Sequence, residues 1–345
     1  MQLRKIFSNN LIAFFGAFLV STSMSIYWLY HDMQQVINQP INIQSIEQLN
    51  ITPGMSLTSI AQIMVSEGWI KHPYYLILQA RWQKKARLIK AGEYAIEPGF
   101  SQLELLNKIV EGKVIQYSQT LAEGLSFREI IGLVRKNRYL IQTNDSFDPA
   151  IIVQSMEYLQ THPEGMFYPD TYHFPRDTTD MEFFHRSYLL MQQVLDEEWR
   201  HRATGLPYQT PYEALIMASI IEKETADITE RDRIAGVFVR RLQIKMKLQT
   251  DPTVIYAMGE SYDGNIRKND LYIDSPYNTY VYSGLPPTPI ASPGRAAIRA
   301  ALQPAEGEEL YFVARGDGTH QFSKTLEEHN SAVRAYQLNR SQGQP

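Results

Sequence analysis

The chain contains no cysteine, which excludes disulfides, thiolate-held metals and a cysteine nucleophile. It has no basic excess: 33 Lys and Arg against 37 Asp and Glu leave a formal net charge of -4, which gives no reason to expect a nucleic-acid partner. Metal-ligand spacing is also missing, since His320 and His329 stand nine residues apart with no third histidine beside them, a poor basis for a metal site. Lysine and arginine are absent from the whole stretch between Lys5 and Lys71. What is present is an ordinary globular composition, 44% hydrophobic and 20% charged over 345 residues, with room for about two or three domains.

One long charge-free run stands out, Leu11 to Tyr30, "LIAFFGAFLVSTSMSIYWLY". Its length suits a membrane-crossing helix, and Tyr27, Trp28 and Tyr30 at its far end suit the interface. Arg4 and Lys5 precede it, so the positive-inside rule places residues 1–10 in the cytoplasm and everything after His31 outside. A cleaved signal peptide is the competing reading, but "SMSIYWLYHDM" offers no clear small-residue cleavage site. The expectation is an uncleaved single-pass anchor over 11–30 with an exported body.

The body reads as α+β. Residues 31–44 belong to a polar, glutamine-rich spacer. A small α+β subdomain is expected over 45–120 and a larger mixed α+β domain over 121–340. Ser56, Ser101 and Ser126 each follow a glycine by two residues and predict helices starting near Leu57, Gln102 and Phe127. Glu104 and Glu129 complete capping boxes for the last two. Strands are expected within "RLIKAGEYAI" and "KVIQYSQTLA". "EGMFYPDTYHFP" (164–175) reads as an ordered loop between helices.

Chemistry concentrates after residue 210. Thr210, Pro211 and Glu213 predict a helix start with a capping box and a proline at its first position. "YEALIMASIIEKET" then runs apolar almost all round, as a buried helix does. Asp227, with Glu230 three residues on, predicts the start of a second helix bearing Ile234, Val237, Phe238 and Leu242. At the junction, Glu222 and Glu224 stand about 200° apart around the helix. Glu224 lies over Met217, Ile220 and Ile221, and burial there would raise its pKa as a general acid requires. Spacing leans to Glu224 without deciding, because acids at a helix end are commonly solvated; Glu222 is expected to face solvent. Three further stretches, 248–259, 275–294 and 320–330, are rich in Tyr, Asn, Thr and Pro and read as loops suited to a polar ligand such as a sugar.

"ASIIEKET", "LQTDPTVIY", "YNTY", "GLPPTPIASPG", "EGMFYPDTY" and "HQFSKTLEEHN", together behind one N-terminal apolar run, resemble the endolytic murein transglycosylase family, often called the YceG-like or MltG family. The resemblance covers nearly all of the chain after the spacer. It implies a membrane-anchored periplasmic lyase with a LysM-like subdomain, acting on peptidoglycan glycan strands without a cofactor, beside the penicillin-binding synthases. It implies that Glu224 is catalytic; Thr225 stands where more distant lytic enzymes carry serine. Candidate sugar contacts are Gln249, Asp251, Tyr277, Asn278 and Tyr280, with Glu164 and Tyr172 upstream. A non-catalytic wall-binding scaffold is the alternative class, and a peptidase lacks any recognisable nucleophile or metal set.

Overall fold

The computed structural model describes residues 2–143, 149–155 and 162–338. The chain forms two compact units that divide between Tyr117 and Ser118. Its secondary structure is mixed α+β, with helices dominating and three two-stranded sheets among the described residues.

The first unit begins with α1 (Gln2–Ile37). Among the described residues no helix is long and apolar enough to cross a membrane. The span expected over 11–30 falls within α1; the side chains of 11–13 lie outside the described residues, and those from Phe14 to Tyr30 are exposed. The expected spacer is corrected at its start. Helix α1 continues to Ile37, because Met33 and Ile37 are buried and Asp32 accepts a hydrogen bond from the Tyr75 hydroxyl at 2.7 Å.

Strand β1 (Glu47–Ile51) pairs antiparallel with β2 (Gly92–Ile96), Glu47 opposite Ile96. Between them lie α2 (Leu57–Ser66) and α3 (Pro73–Trp82), and α4 (Gln102–Glu111) follows. This β-α-α-β order buries Leu49, Ile51, Ile60, Met64, Tyr94 and Ile96 in one core with Leu105 and Ile109 of α4. Ser101 and Glu104 form the expected capping box, each satisfying a backbone N–H that the helix start would otherwise leave unpaired.

In the second unit β3 (Tyr117–Thr120, its first residue still in the first unit) pairs with β4 (Thr171–Phe174). The stretch 164–175 is therefore loop only in its first part, with β4 formed by alternately buried Tyr172 and Phe174. Helix α5 (Phe127–Lys136) starts at the Ser126–Glu129 capping box, as its sequence predicts. After α6 (Pro149–Ser155), the long α7 (Asp180–Arg200) packs against α8 (Pro211–Glu224).

Helix α8 is the centre of the unit: every residue from Ala214 to Ile221 is buried, and it touches α7, α9 (Arg231–Gln243), α10 (Asp251–Met258) and α11 (Arg295–Leu302). Burying an isoleucine or leucine stabilises by about 1.5–3 kcal/mol, so this run anchors whatever hangs from its end. The chain closes with β5 (Tyr311–Ala314) antiparallel to β6 (His320–Ser323), then α12 (Leu326–Val333). Of the three polar stretches read as loops, 275–294 is one; 251–258 is helix α10, and 320–330 supplies β6 and the start of α12. Asp-Pro at the first two positions of α10 and the Thr325–Glu328 capping box explain both helices.

Candidate active site

Two corrections concern the ends of α8. At its start Thr210 Oγ1 accepts the Glu213 N–H at 3.3 Å, but the Glu213 carboxylate receives the Gln209 N–H, one residue earlier than a capping box would have it. At its far end Thr225 turns to extended backbone, φ -142°, and its Oγ1 accepts the Asp227 N–H at 3.0 Å. Asp227 then caps a short 3-10 turn at 228–230 through the Thr229 N–H, so α9 begins at Arg231, later than expected. Glu230 is free of helix duty. It holds the His320 ring nitrogen at 2.8 Å and the His320 N–H at 3.1 Å.

Glu224, the last residue of α8, is half-buried. Thr250 Oγ1 donates to its Oε2 at 2.6 Å, and Thr250 is itself buried. Two further threonines hold that donor. The Thr250 N–H donates to Thr279 Oγ1 at 3.1 Å, Thr253 Oγ1 donates to the Thr250 carbonyl at 2.7 Å, and the Thr253 and Thr279 hydroxyls meet at 2.8 Å. Burial lifts the Glu224 carboxyl above the usual range; the Thr250 hydrogen bond opposes that lift, the Asp251 charge adds to it, and His320 and Arg241 oppose it. Arg241 is a buried cation, fixed by the Leu310 and Leu248 carbonyls at 2.7 and 2.6 Å.

Glu222 does not face solvent. Its side chain is 5% exposed, Arg231 Nη2 reaches its Oε1 at 2.7 Å, and the Gly294 N–H reaches its Oε2 at 2.9 Å. The two-residue offset does put the acids in different environments, but the second environment is a buried ion pair. Nothing local in the sequence pairs Glu222 with Arg231, nine residues on and across the turn.

The candidate sugar contacts divide. Gln249, Asp251 and Tyr280 lie beside Thr250 and Thr279. Gln249 is exposed and held at φ +50°, an unfavourable region for a side-chain-bearing residue; its N–H donates to the Thr279 carbonyl at 3.2 Å. Asp251 is exposed and accepts from the Tyr280 hydroxyl at 2.6 Å.

Asn278, by contrast, is fully buried, and its amide is spent on the Leu271 and Ile273 carbonyls and the Tyr280 N–H. Tyr277 stacks obliquely on Tyr256 with ring centroids 4.8 Å apart and shares a hydrogen bond with Thr288. Glu164 is buried in that same group. It accepts the Phe127 N–H at 2.8 Å and the Tyr256 hydroxyl at 2.9 Å, and burial pushes its carboxyl up to about 7. Tyr172 is buried against Phe183, its hydroxyl spent on the Tyr168 carbonyl. Sequence reasoning missed Thr250, Arg241, Glu230 and Arg231; only "LQTDPT" carried a signal for the first, as a hydroxyl next to Asp251.

A cleft of about 480 Å³ lies elsewhere in the second unit, where Arg295 and Arg299 of α11 meet Glu197 and Glu198 of α7. Its charges answer one another at 2.8 to 3.2 Å, so it reads as a brace between helices.

A family model described as the YceG-like family matches residues 49–335. An endolytic murein transglycosylase of Bacillus subtilis is 32% identical, the match covering 84% of each chain. An endolytic murein transglycosylase of Streptococcus pneumoniae is 26% identical over 94% of this chain and 65% of its own length. Among solved structures, a YceG-like protein from Listeria monocytogenes superposes with a TM-score of 0.53 at 31% identity, over 84% of this chain and 99% of that one.

Proposed function

Because the chain belongs to the YceG-like family, we propose that it is a lytic transglycosylase that cuts peptidoglycan glycan strands internally, with Glu224 as acid and then base. The observation that carries this reading is the Glu224 carboxyl itself: at the end of a fully buried helix segment, lifted by burial and met by one neutral hydroxyl. Protonated Glu224 gives its proton to the oxygen joining N-acetylmuramic acid to N-acetylglucosamine as that bond breaks. The resulting carboxylate takes the proton from the muramic C6 hydroxyl, whose oxygen closes on the anomeric carbon. The product carries a 1,6-anhydro ring, and no water is consumed, so the second carboxyl group of a hydrolase is not required.

The exposed Gln249 and Asp251 and the half-buried Tyr280 stand beside the Glu224–Thr250 pair and supply sugar contacts. Glu164, Tyr172, Tyr277 and Asn278 act through packing and hydrogen bonds that shape the surrounding loops. The first unit, with its β-α-α-β order, is a LysM-like glycan-binding module. The apolar run of α1 anchors the chain in the inner membrane with the body in the periplasm, where it works beside penicillin-binding synthases and ends growing strands.

Incubation of the full chain with uncrosslinked glycan strands, followed by mass analysis, tests the chemistry. Internal fragments ending in 1,6-anhydro-N-acetylmuramic acid are expected. Reducing ends would indicate a hydrolase, cut stem peptides a peptidase, and intact strands a non-catalytic scaffold.

A further inference from the structure

The first unit carries an exposed face that its own packing does not explain. On α3, Tyr74, Leu78 and Trp82 recur at every fourth residue and are 76%, 51% and 64% exposed, while Leu76, Gln79 and Ala80 of the same helix are buried. Apolar residues at that spacing form one helix face and ordinarily find a partner.

Neighbouring structure says what that partner is. Helix α3 is tied to α1 by the Tyr75–Asp32 hydrogen bond at 2.7 Å and the Gln34–Gln79 hydrogen bond at 3.3 Å. Trp82 stands edge-on to Tyr30 with centroids 5.6 Å apart. The stripe is therefore continuous with the exposed apolar surface of α1, which carries Phe14, Phe18, Trp28 and Tyr30. Charge adds a second, independent observation. From Lys71 to Lys90 the chain has six Lys and Arg and no Asp or Glu, although the chain as a whole is acidic. Lys85 and Lys90 are held by Asn107 and the Glu111 carbonyl, while Arg81, Lys84 and Arg87 are exposed around Trp82, with Leu88 also exposed.

We propose that the outer face of α3 and the turn after it rest on the surface of an anionic lipid bilayer, Trp82, Leu78 and Tyr74 entering the headgroup layer and Arg81, Lys84 and Arg87 meeting lipid phosphates. Aromatic rings with a polar edge and cations on long apolar stems are the side chains this layer favours. Each cation near an anionic surface raises partitioning by roughly fivefold. The inference rests on the reading of α1 as the membrane anchor. Its consequence is that the first unit is laid down on the membrane in one orientation instead of swinging from a tether.

The absence of cysteine makes the test direct, since one introduced cysteine takes one spin label. Full-length chains carrying Trp82→Cys, Leu78→Cys, Leu19→Cys or Glu97→Cys are labelled and reconstituted in vesicles of equal parts phosphatidylglycerol and phosphatidylcholine. Accessibility to oxygen and to a water-soluble nickel chelate is then read. Labels at 78 and 82 are expected to be shielded from nickel and open to oxygen, close to the label at 19 and unlike that at 97. Adding Lys84→Glu and Arg87→Glu, or using phosphatidylcholine alone, is expected to return them toward water. If the labels at 78 and 82 match 97 while 19 stays in lipid, the docking face is wrong and the anchor stands. If the label at 19 is also open to nickel, the anchor reading falls and the docking face with it.

Discussion

Two carboxyl groups leave the last turn of α8 two residues apart; burial lifts both, and the surroundings answer them differently. Glu222 meets a full positive charge, Arg231 at 2.7 Å, and a backbone N–H at 2.9 Å. Its acceptor capacity is spent on joining α8 to α9 and to the turn before α11. Glu224 meets one neutral hydroxyl, at 2.6 Å, and the Asp251 charge adds to its lift. The same residue type at the same helix end is thus a structural tie in one case and, in the other, a carboxyl group whose hydrogen-bond partner is uncharged. What separates them is the partner supplied across space, since burial acts on both.

The largest effect expected from this contrast is on chemistry. Glu224→Gln is expected to lower strand cleavage by about 10²- to 10⁴-fold with an unchanged unfolding curve. A folded Glu224→Gln variant with full activity would end the assignment of roles. Next comes stability: Arg231→Met leaves Glu222 buried without its counter-charge and is expected to cost about 3–5 kcal/mol in urea unfolding, while cleavage per folded molecule stays within a few-fold. A cost below about 1 kcal/mol, typical of surface pairs, would mean that the Glu222 corner is no more built than the Glu224 corner.

A third carboxyl group sharpens the contrast because it has burial without an ion pair. Glu164, met by a backbone N–H and the Tyr256 hydroxyl, is lifted from 4.5 to about 7. A raised carboxyl pKa means that the folded state binds more protons than the unfolded one between those values. The stabilisation is therefore complete below 4.5 and lost as pH rises toward 7, by about 3 kcal/mol in all. Glu164→Gln should flatten that part of the stability profile relative to the parent protein. Parallel profiles would show that Glu164 titrates as an ordinary exposed acid does.

The fold was legible where its causes are local. Helix starts at Leu57, Gln102 and Phe127 follow from a serine cap with or without its glutamate, and the buried α8 follows from an unbroken apolar run. Local patterns misled where a neighbour distant in sequence decides. Residues 32–37 look like polar spacer but stay helical because Met33 and Ile37 bury, and Asn278, in a stretch read as sugar-binding, closes its own loop. Helical rotation separated Glu222 from Glu224, yet the Arg231 and Thr250 partners that define their environments come from beyond the helix, and no periodicity announces them.

The smallest expected effect tests the Glu224 corner most closely. The Thr250 hydroxyl donates to Glu224 and so favours the carboxylate over the acid. Thr250→Val keeps the shape and removes the donor, so the Glu224 pKa should move further up and the acid form should persist to higher pH. The alkaline limb of the cleavage rate against pH is then expected to shift upward. Because the same hydroxyl also orients the carboxyl, the maximal rate should fall roughly tenfold, the scale of a charge-assisted hydrogen bond. Thr250→Ser should restore both. A slower Thr250→Val variant whose alkaline limb does not move would make Thr250 a packing residue only, and the proton on Glu224 would then be governed by burial and Asp251.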